Sequence, residues 1–169
     1  MLLGPFGVNE FVNADAIAVG LSAFSPEKAA FRAGRILLSR VTELANAGES
    51  FAFETTLATR SFAPWLKRRQ REGYRVHLLF LWLPNVEMAI ARVAERVRLG
   101  GHDIPEEVIR RRYVRGTHNL RRLYLPFADS WRLIDASVAT GFGMIAQGGR
   151  GGEPLIYSQQ PWRALTSES

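Results

Sequence analysis

Short apolar runs alternate with longer amphipathic segments along the chain, and this alternation predicts its secondary structure. Apolar runs predict strands over residues 10–15, 50–55, 74–83, 131–135 and 143–146. Apolar residues at helical spacing predict helices over residues 26–48, 61–72, 86–98 and 105–124. Strands that alternate with helices of ten or more residues form βαβ units around a parallel sheet. The pattern therefore predicts an α/β fold.

Individual residues indicate where several of the predicted helices and strands begin or end. Ser25 is a good N-cap ahead of Pro26, and Asp103 with Glu106 forms a capping box before the 105–124 helix. The run from Val76 to Leu83 is almost continuously apolar, as in a central parallel strand that is covered on both faces.

No repeat or long linker divides residues 1–169, so we expect one domain that ends in a weakly structured tail over 157–169.

The charged residues are mostly arginine. The chain has 22 Lys and Arg against 16 Asp and Glu, a net charge of +6, and only Lys28 and Lys67 are lysines. The guanidinium group binds phosphate and carboxylate bidentately, which favours nucleic acid, a nucleotide or a phosphorylated metabolite as ligand. A base-composition bias of the genome would produce the same excess.

Other compositional features exclude whole classes of protein. The chain has no cysteine, which rules out disulfides and Cys-ligated metals, and its three histidines are too scattered to predict a metal site. No run of about 18 apolar residues is present to span a membrane. The first residues lack the features of a signal peptide. We therefore expect a cytoplasmic protein without a membrane segment.

Polar residues at the ends of two predicted strands are the first candidates for chemistry. Asp15 ends the first strand, and Glu54, Thr55 and Thr56 follow the second. Ligands of parallel α/β sheets bind beyond the carboxyl ends of the strands. The two carboxylates and two hydroxyls would suit a polyol, a magnesium ion or a general base. Alternatively, Asp15 caps a turn and Glu54 pairs with an arginine.

The predicted helix over 105–124 is strongly basic. Arg111, Arg115, His118 and Arg122 share one face of it. This face is either a solvated surface, a phosphate clamp that closes over a nucleotide, or a nucleic-acid patch with salt-dependent affinity. The Gly100-Gly-His-Asp103 break just before it favours the clamp, because a mobile lid needs a hinge.

Five segments in order make a more specific pattern. They are Phe11-Val-Asn-Ala-Asp15, Phe51-Ala-Phe-Glu-Thr-Thr-Leu57, the 73–83 strand region, Arg92-Val-Ala-Glu-Arg-Val-Arg98 and the 100–113 segment from Gly-Gly-His-Asp-Ile-Pro to Tyr. This series closely resembles the bacterial zeta toxin-like family of P-loop kinases, from about Glu10 to Ile156. The resemblance implies a P-loop kinase-like parallel sheet flanked by helices, with an arginine-rich lid over about 98–122.

The resemblance also implies an activity, cofactors and partners. Studied members transfer the γ-phosphate of ATP, with Mg²⁺, to a hydroxyl of a UDP-activated amino sugar, and some are restrained by an antitoxin protein. By position in the motifs, Asp15 would be the base that takes the proton of the attacking hydroxyl. The implied substrate contacts are Glu54, Thr55, Thr56 and Arg60. The implied nucleotide or phosphate contacts are Arg98, His102, Arg111 and Arg115, and no residue is assigned to a metal.

One departure from the family affects these expectations. Family members begin with a strand, a Gly-x-x-x-x-Gly-Lys-Ser/Thr loop and a helix, and the 169 residues contain no such loop. Gly4-Pro-Phe-Gly7 has the wrong spacing and no lysine. The fold class we expect therefore lacks the first strand, P-loop and first helix.

Three hypotheses follow. The first is a zeta toxin-like kinase whose N-terminal part lies outside this sequence, so that the chain as it stands is inactive. The second is a degenerate, non-catalytic relative that binds a small molecule or a partner protein. A basic nucleic-acid-binding module is the least favoured, because the sequence carries no nucleic-acid recognition motif.

The first stability prediction concerns the first strand of the family, which these 169 residues lack. This strand is usually central in such sheets, so without it the neighbouring strands would expose apolar faces and hydrogen-bonding edges. We expect lower stability or stronger self-association than in a relative that has this strand. Size-exclusion chromatography and thermal melting check this expectation, and a cooperative, well-behaved monomer would contradict it.

Overall fold

The computed structural model describes residues 8–22, 26–101, 103–138 and 143–167. The elements in chain order are β1 (Glu10–Val12), α1 (Ala14–Leu21), α2 (Pro26–Asn46), β2 (Phe51–Phe53), α3 (Phe62–Arg71), β3 (His77–Trp82), α4 (Val86–Arg98), α5 (Glu106–Asn119), a π-helical turn (Leu120–Tyr124), β4 (Ser130–Asp135), β5 (Gly143–Gly148), β6 (Leu155–Ile156) and α6 (Gln159–Thr166). None of the described helices is long and apolar enough to cross a membrane.

The described residues form two compact units. The first unit contains the residues up to Thr55 together with Arg96–Ile104, and the second contains Thr56–Glu95 and the residues from Pro105 onward. The predicted α/β fold class is confirmed, because β1–β2 and β3–β4 are parallel strand pairs accompanied by helices.

In the first unit, β1 and β2 pair in parallel, with Glu10 opposite Phe51 and Val12 opposite Phe53. The predicted apolar stripe of α2 is confirmed at Leu37, Val41 and Leu44, which are all buried. Helix α1 packs on α2 through the small side chains of Ala18, Ala29 and Ala33. These small residues allow the two helices to approach closely.

The prediction that the first strand reaches Asp15 is wrong, because the strand ends at Val12 and Asp15 lies in the first turn of α1. Asn13 is the reason. Its Oδ1 accepts hydrogen bonds from the backbone N–H groups of Asp15 (2.7 Å) and Ala16 (3.0 Å), the geometry of an N-cap. Alanines at positions 14, 16 and 18 then favour the helix.

The second unit contains a four-stranded sheet of order β3-β4-β5-β6. Strands β3 and β4 are parallel, whereas β4–β5 and β5–β6 are antiparallel. Within the second unit, the described sheet is therefore mixed, whereas we expected parallel strands throughout. The connections from β4 to β5 and from β5 to β6 are too short for the helical crossover that a parallel pair requires.

The prediction that the 74–83 strand is buried on both faces is also wrong. In β3, His77, Leu79 and Leu81 are exposed, and they alternate with less exposed residues. Among the described strands, β3 lies at the edge of its sheet. Continuous apolar sequence does not distinguish such a strand from a central one, because position in the sheet is set by strand pairing.

Two further local predictions need correction. Asp103 does not cap α5, since its Oδ1 accepts from the adjacent Ile104 N–H (2.8 Å) and the N-cap residue is Pro105. The segment after Ile156 contains helix α6, whereas we expected a weakly structured tail. Trp162 of this helix stacks on Trp131, with ring centroids 6.0 Å apart, so packing against the sheet stabilises the helix.

Helix α5 and the π-helical turn after it hold the chain segment that follows β2. The buried Asn119 amide donates to the Leu57 carbonyl (2.7 Å), and the Tyr124 hydroxyl donates to the Thr59 carbonyl (3.2 Å). Gly116 allows the close approach, because a Cβ there would overlap the Thr56 carbonyl oxygen. We refer to this set of contacts as the α5 clamp.

We expect two glycine-to-alanine substitutions to have opposite effects on stability, one in the α5 clamp and one outside it. We expect Gly116→Ala to lower the free energy of unfolding by about 1–3 kcal/mol, because the added methyl group overlaps the Thr56 carbonyl. Gly34→Ala in α2 has open space around its Cβ and is expected to raise it by about 0.5–1 kcal/mol. Urea unfolding measures both, and a neutral or stabilising Gly116→Ala would contradict the clamp.

Candidate functional site

The carboxyl ends of β1 and β2 lie side by side in the first unit. The parallel pairing extends past β2, where the Glu54 N–H donates to the Val12 carbonyl (3.2 Å). The Asn13 side-chain amide then donates from Nδ2 to Glu54 Oε2 (2.7 Å). Asn13 therefore caps α1 with its side-chain oxygen and binds the Glu54 carboxylate with its side-chain nitrogen.

Asp15 is fixed in the same unit by its helix and by an ion pair. Its position in the first turn of α1 suits a carboxylate, because the helix dipole is positive there. Arg96 Nη1 lies 3.2 Å from Asp15 Oδ2, and both side chains are partly exposed. The structure thus connects Asp15 to Asn13 through the backbone and to Arg96 through the side chain.

The turn after α4 positions Arg96. The Gly101 N–H donates to the Arg96 carbonyl (2.8 Å), and Gly100 has a φ of +90°, a backbone conformation that favours glycine. A Cβ on Gly101 would lie 2.7 Å from Arg96 Cγ. Gly100 and Gly101, which begin the segment predicted as a hinge, thus form a tight helix end in this structure.

The predicted phosphate contacts near this turn are Arg98 and His102. Arg98 is the last residue of α4, has an exposed side chain and lies in the first unit. His102 lies outside the described residues. Their assignment to phosphate stays a prediction.

The other predicted residues divide between the two units. Glu54 and Thr55 belong to the first unit, and Thr56, Arg60, Arg111 and Arg115 belong to the second. Thr55 is half-buried and Thr56 is exposed. Within the second unit, Arg60 and Arg115 line one cleft, whereas Arg111 is exposed on α5 and does not line it.

Helix α5 is anchored in the second unit at its N-terminal end as well. Arg110 pairs with Glu106 (2.7 Å) and with Glu87 of α4 (3.0 Å), and its hydrogen bond lowers the pKa of Glu87. The Tyr113 hydroxyl donates to the Leu83 carbonyl (2.8 Å), and burial raises the pKa of that phenol. Arg110 is therefore a structural arginine, in contrast to Arg115 on the same helix.

Several residues of these arrangements are absent from the sequence-based site. Asn13 and Arg96 lie within the quoted motifs, but the sequence predicts no role for either. The signal for Asn13 was available, since an Asn directly before an alanine-rich segment is a typical N-cap. No local pattern marks Arg96 as the partner of Asp15, because the two residues are 81 positions apart.

The described residues do not by themselves fit a Mg²⁺–nucleotide group. Among them, no group of three or more His, Asp or Glu side chains could hold a metal ion. The 169 residues also lack the glycine loop, lysine and hydroxyl that bind the β- and γ-phosphates and Mg²⁺ in P-loop proteins.

Comparison with known protein families assigns the chain to a family that is consistent with its mixed α/β architecture. A sequence model of the zeta toxin family matches residues 27–139, and the chain belongs to this family. The match includes Glu54, Arg60 and Arg115 but begins after Asp15. The family supports a kinase-like or toxin function and is generally ATP-dependent, and the α/β fold is consistent with a P-loop kinase-like fold.

Other comparisons add little about function. An uncharacterized protein of Haemophilus influenzae is 30% identical over 102 residues, which cover 60% of this chain and 73% of that relative. No solved structure matches the chain.

The double role of Asn13 is testable by substitution. Asp and Ser both cap helices well, but Asn13→Asp also places a second carboxylate against Glu54. We expect Asn13→Asp to be about 0.5–1 kcal/mol less stable than Asn13→Ser at low salt, with the difference shrinking in 1 M NaCl. Urea unfolding at the two salt concentrations measures this, and equal stabilities at low salt would show that the Glu54 contact is unimportant.

Proposed function

We propose that this chain carries the acceptor-substrate side of an ATP-dependent phosphotransferase that acts on a hydroxyl of a small molecule, such as a UDP-amino sugar. The observation that supports it most is the junction at the ends of β1 and β2. There Asn13 holds Glu54 and caps the helix that carries Asp15. Membership of the zeta toxin family supports the same proposal.

In this proposal, Asp15 and Glu54 have different roles. Asp15 accepts the proton of the attacking substrate hydroxyl, and its ion pair with Arg96 orients the carboxylate. Glu54 binds substrate hydroxyl groups, and Asn13 orients its carboxylate through Oε2. Thr55 and Thr56 add hydroxyl groups to the same segment of chain.

ATP would supply the phosphoryl group. Phosphoryl transfer depends on electrostatic stabilisation of the phosphates, and the residues that provide most of it in P-loop kinases are not among these 169. We therefore expect the 169-residue chain to bind an acceptor but to transfer no phosphate.

A second candidate function uses the same junction of Asn13, Glu54 and Asp15 for binding alone. The chain would then be a non-catalytic relative that binds a small molecule or a partner protein, such as an antitoxin. It shares the expected acceptor binding with the first candidate, so only a transfer assay separates the two.

Acceptor binding is the first test. Calorimetry with UDP-N-acetylglucosamine is expected to show binding to the 169-residue chain, and Glu54→Gln is expected to weaken it about tenfold, because a hydrogen bond to a charged group is worth about 1.5–3 kcal/mol. Glu153→Gln, a substitution of an exposed glutamate in the second unit, is the matched control and should leave the affinity unchanged. Equal weakening by both variants would count against a substrate role for Glu54.

Transfer is the second test. A version with a Walker A segment, encoded upstream of Met1 or taken from a zeta toxin relative, is expected to phosphorylate the UDP-amino sugar. Asp15→Asn should lower its rate about 10²–10⁴-fold without changing acceptor affinity. Acceptor binding without transfer by a folded Walker A version would favour the non-catalytic candidate, and failure of both tests would overturn the proposal.

A further inference from the structure

The segment between β2 and α3 carries residues that the family resemblance assigns to the acceptor, but it belongs to no helix or strand. Thr56 and Arg60 lie in this segment, and both side chains are exposed. A segment without helix or sheet hydrogen bonds keeps one conformation only through contacts with the rest of the protein. The α5 clamp supplies such contacts, and they fall on backbone carbonyl groups of the segment.

Two buried side chains of the α5 clamp donate hydrogen bonds to this backbone. The Asn119 amide donates to the Leu57 carbonyl (2.7 Å), and the Tyr124 hydroxyl donates to the Thr59 carbonyl (3.2 Å). Burial raises the pKa of Tyr124, so its hydroxyl group stays protonated and remains a donor at neutral pH. The two carbonyl groups are two residues apart, and together the bonds fix the course of the backbone between them.

The backbone of Leu57 has a conformation that needs such support. Its φ of +56° lies in the left-handed region, and no other non-glycine residue has a positive φ in the part of the chain that the structure describes. This conformation is costly for a residue with a Cβ atom. The Leu57 side chain is buried and its carbonyl is bonded to Asn119, so burial and the hydrogen bond together stabilise the bend.

The π-helical turn brings the two donors towards one side of the helix. Asn119 directly precedes this turn, and Tyr124 is its last residue. In a continuous α-helix, residues five apart are separated by about 140° around the axis. The π-helical turn, in which the Leu125 N–H donates to the Leu120 carbonyl (2.9 Å), takes more residues for each revolution and reduces this separation. Left-handed non-glycine residues and π-helical turns both concentrate at functional sites.

We propose that Asn119 and Tyr124 are positioning residues for acceptor binding. They hold residues 57–59 in the left-handed bend, and the bend sets the directions in which Thr56 and Arg60 present their side chains to the acceptor. This inference rests on the proposed function, because it takes Thr56 and Arg60 as acceptor contacts. It adds that the acceptor affinity depends on two residues that act through backbone carbonyl groups.

Two tyrosines provide a matched test. Tyr124→Phe removes the donor to the Thr59 carbonyl, and Tyr113→Phe removes an equivalent donor to the Leu83 carbonyl, which is outside the segment. Each variant loses one hydroxyl group, so we expect similar decreases in melting temperature. In calorimetry, Tyr124→Phe should weaken the binding of UDP-N-acetylglucosamine about three- to tenfold, whereas Tyr113→Phe should change it less than about twofold.

Asn119→Ala tests the other donor. It leaves the buried Leu57 carbonyl without this hydrogen bond, so the bend relaxes and we expect the acceptor affinity to fall at least about tenfold. Hydrogen exchange gives a readout that needs no ligand. The amides of residues 56–61 should exchange faster in Asn119→Ala and Tyr124→Phe than in the native chain, and at the native rate in Tyr113→Phe.

The kinetic effect should fall on binding. In the Walker A version, Tyr124→Phe should raise the acceptor KM while kcat changes less than about twofold, because the α5 clamp holds acceptor contacts and Asp15 lies in the first unit. Asp15→Asn is expected to have the opposite effect, with a lower kcat and an unchanged acceptor affinity.

Melting temperatures and affinities together decide the outcome. The inference is overturned if the acceptor affinity falls in step with the melting temperature in all three variants, including Tyr113→Phe. Native affinity in Tyr124→Phe and Asn119→Ala also overturns it and leaves the proposed function intact. If Asn119→Ala does not fold, the comparison of the two tyrosine variants decides alone. A native chain that binds no UDP-N-acetylglucosamine at millimolar concentration overturns the proposed function and this inference together.

Discussion

Two features of α5 hold the chain segment that leads to Arg60. They are the side-chain amide of Asn119 and the absence of a side chain at Gly116. An unsatisfied buried carbonyl is costly, so the hydrogen bond from Asn119 stabilises the unusual backbone of Leu57. At Gly116 the helix approaches that segment more closely than any other residue would allow. These two contacts join the segment that carries Arg60 to the helix that carries Arg115, and both arginines line one cleft.

The first unit uses an amide in a comparable way. Asn13 satisfies the start of α1 with its oxygen and Glu54 with its nitrogen, so one residue sets the relation between a strand end and a helix start. This junction moves Asp15 from a strand end to a helix N-terminus. The capped helix fixes the backbone of Asp15 and Arg96 restrains its side chain, and this orientation supports the proposed role of Asp15.

The arginine excess has more than one physical meaning in this chain. Arg40, Arg68 and Arg110 pair with glutamates and reinforce local structure, at exposed sites where each pair contributes little stability. Arg60 and Arg115 line a cleft without such partners among the described residues. A net charge of +6 therefore does not by itself indicate a phosphate-binding surface, and only the placement of each guanidinium group distinguishes the two uses.

The sequence by itself determined the α/β class, most element positions and the family. These properties depend on periodicity and on ordered motifs, which are local features of the sequence. Helix α4, for example, begins at Val86 and ends at Arg98 as predicted, because its apolar residues recur at helical spacing. Tertiary structure alone decided that β3 is an edge strand among the described strands of its sheet, that Trp162 anchors α6 on Trp131, and that Arg96 pairs with Asp15. It also placed Arg60 and Arg115 on the lining of one cleft. Each of these depends on contacts between residues far apart in the chain, and no local pattern of residues records them.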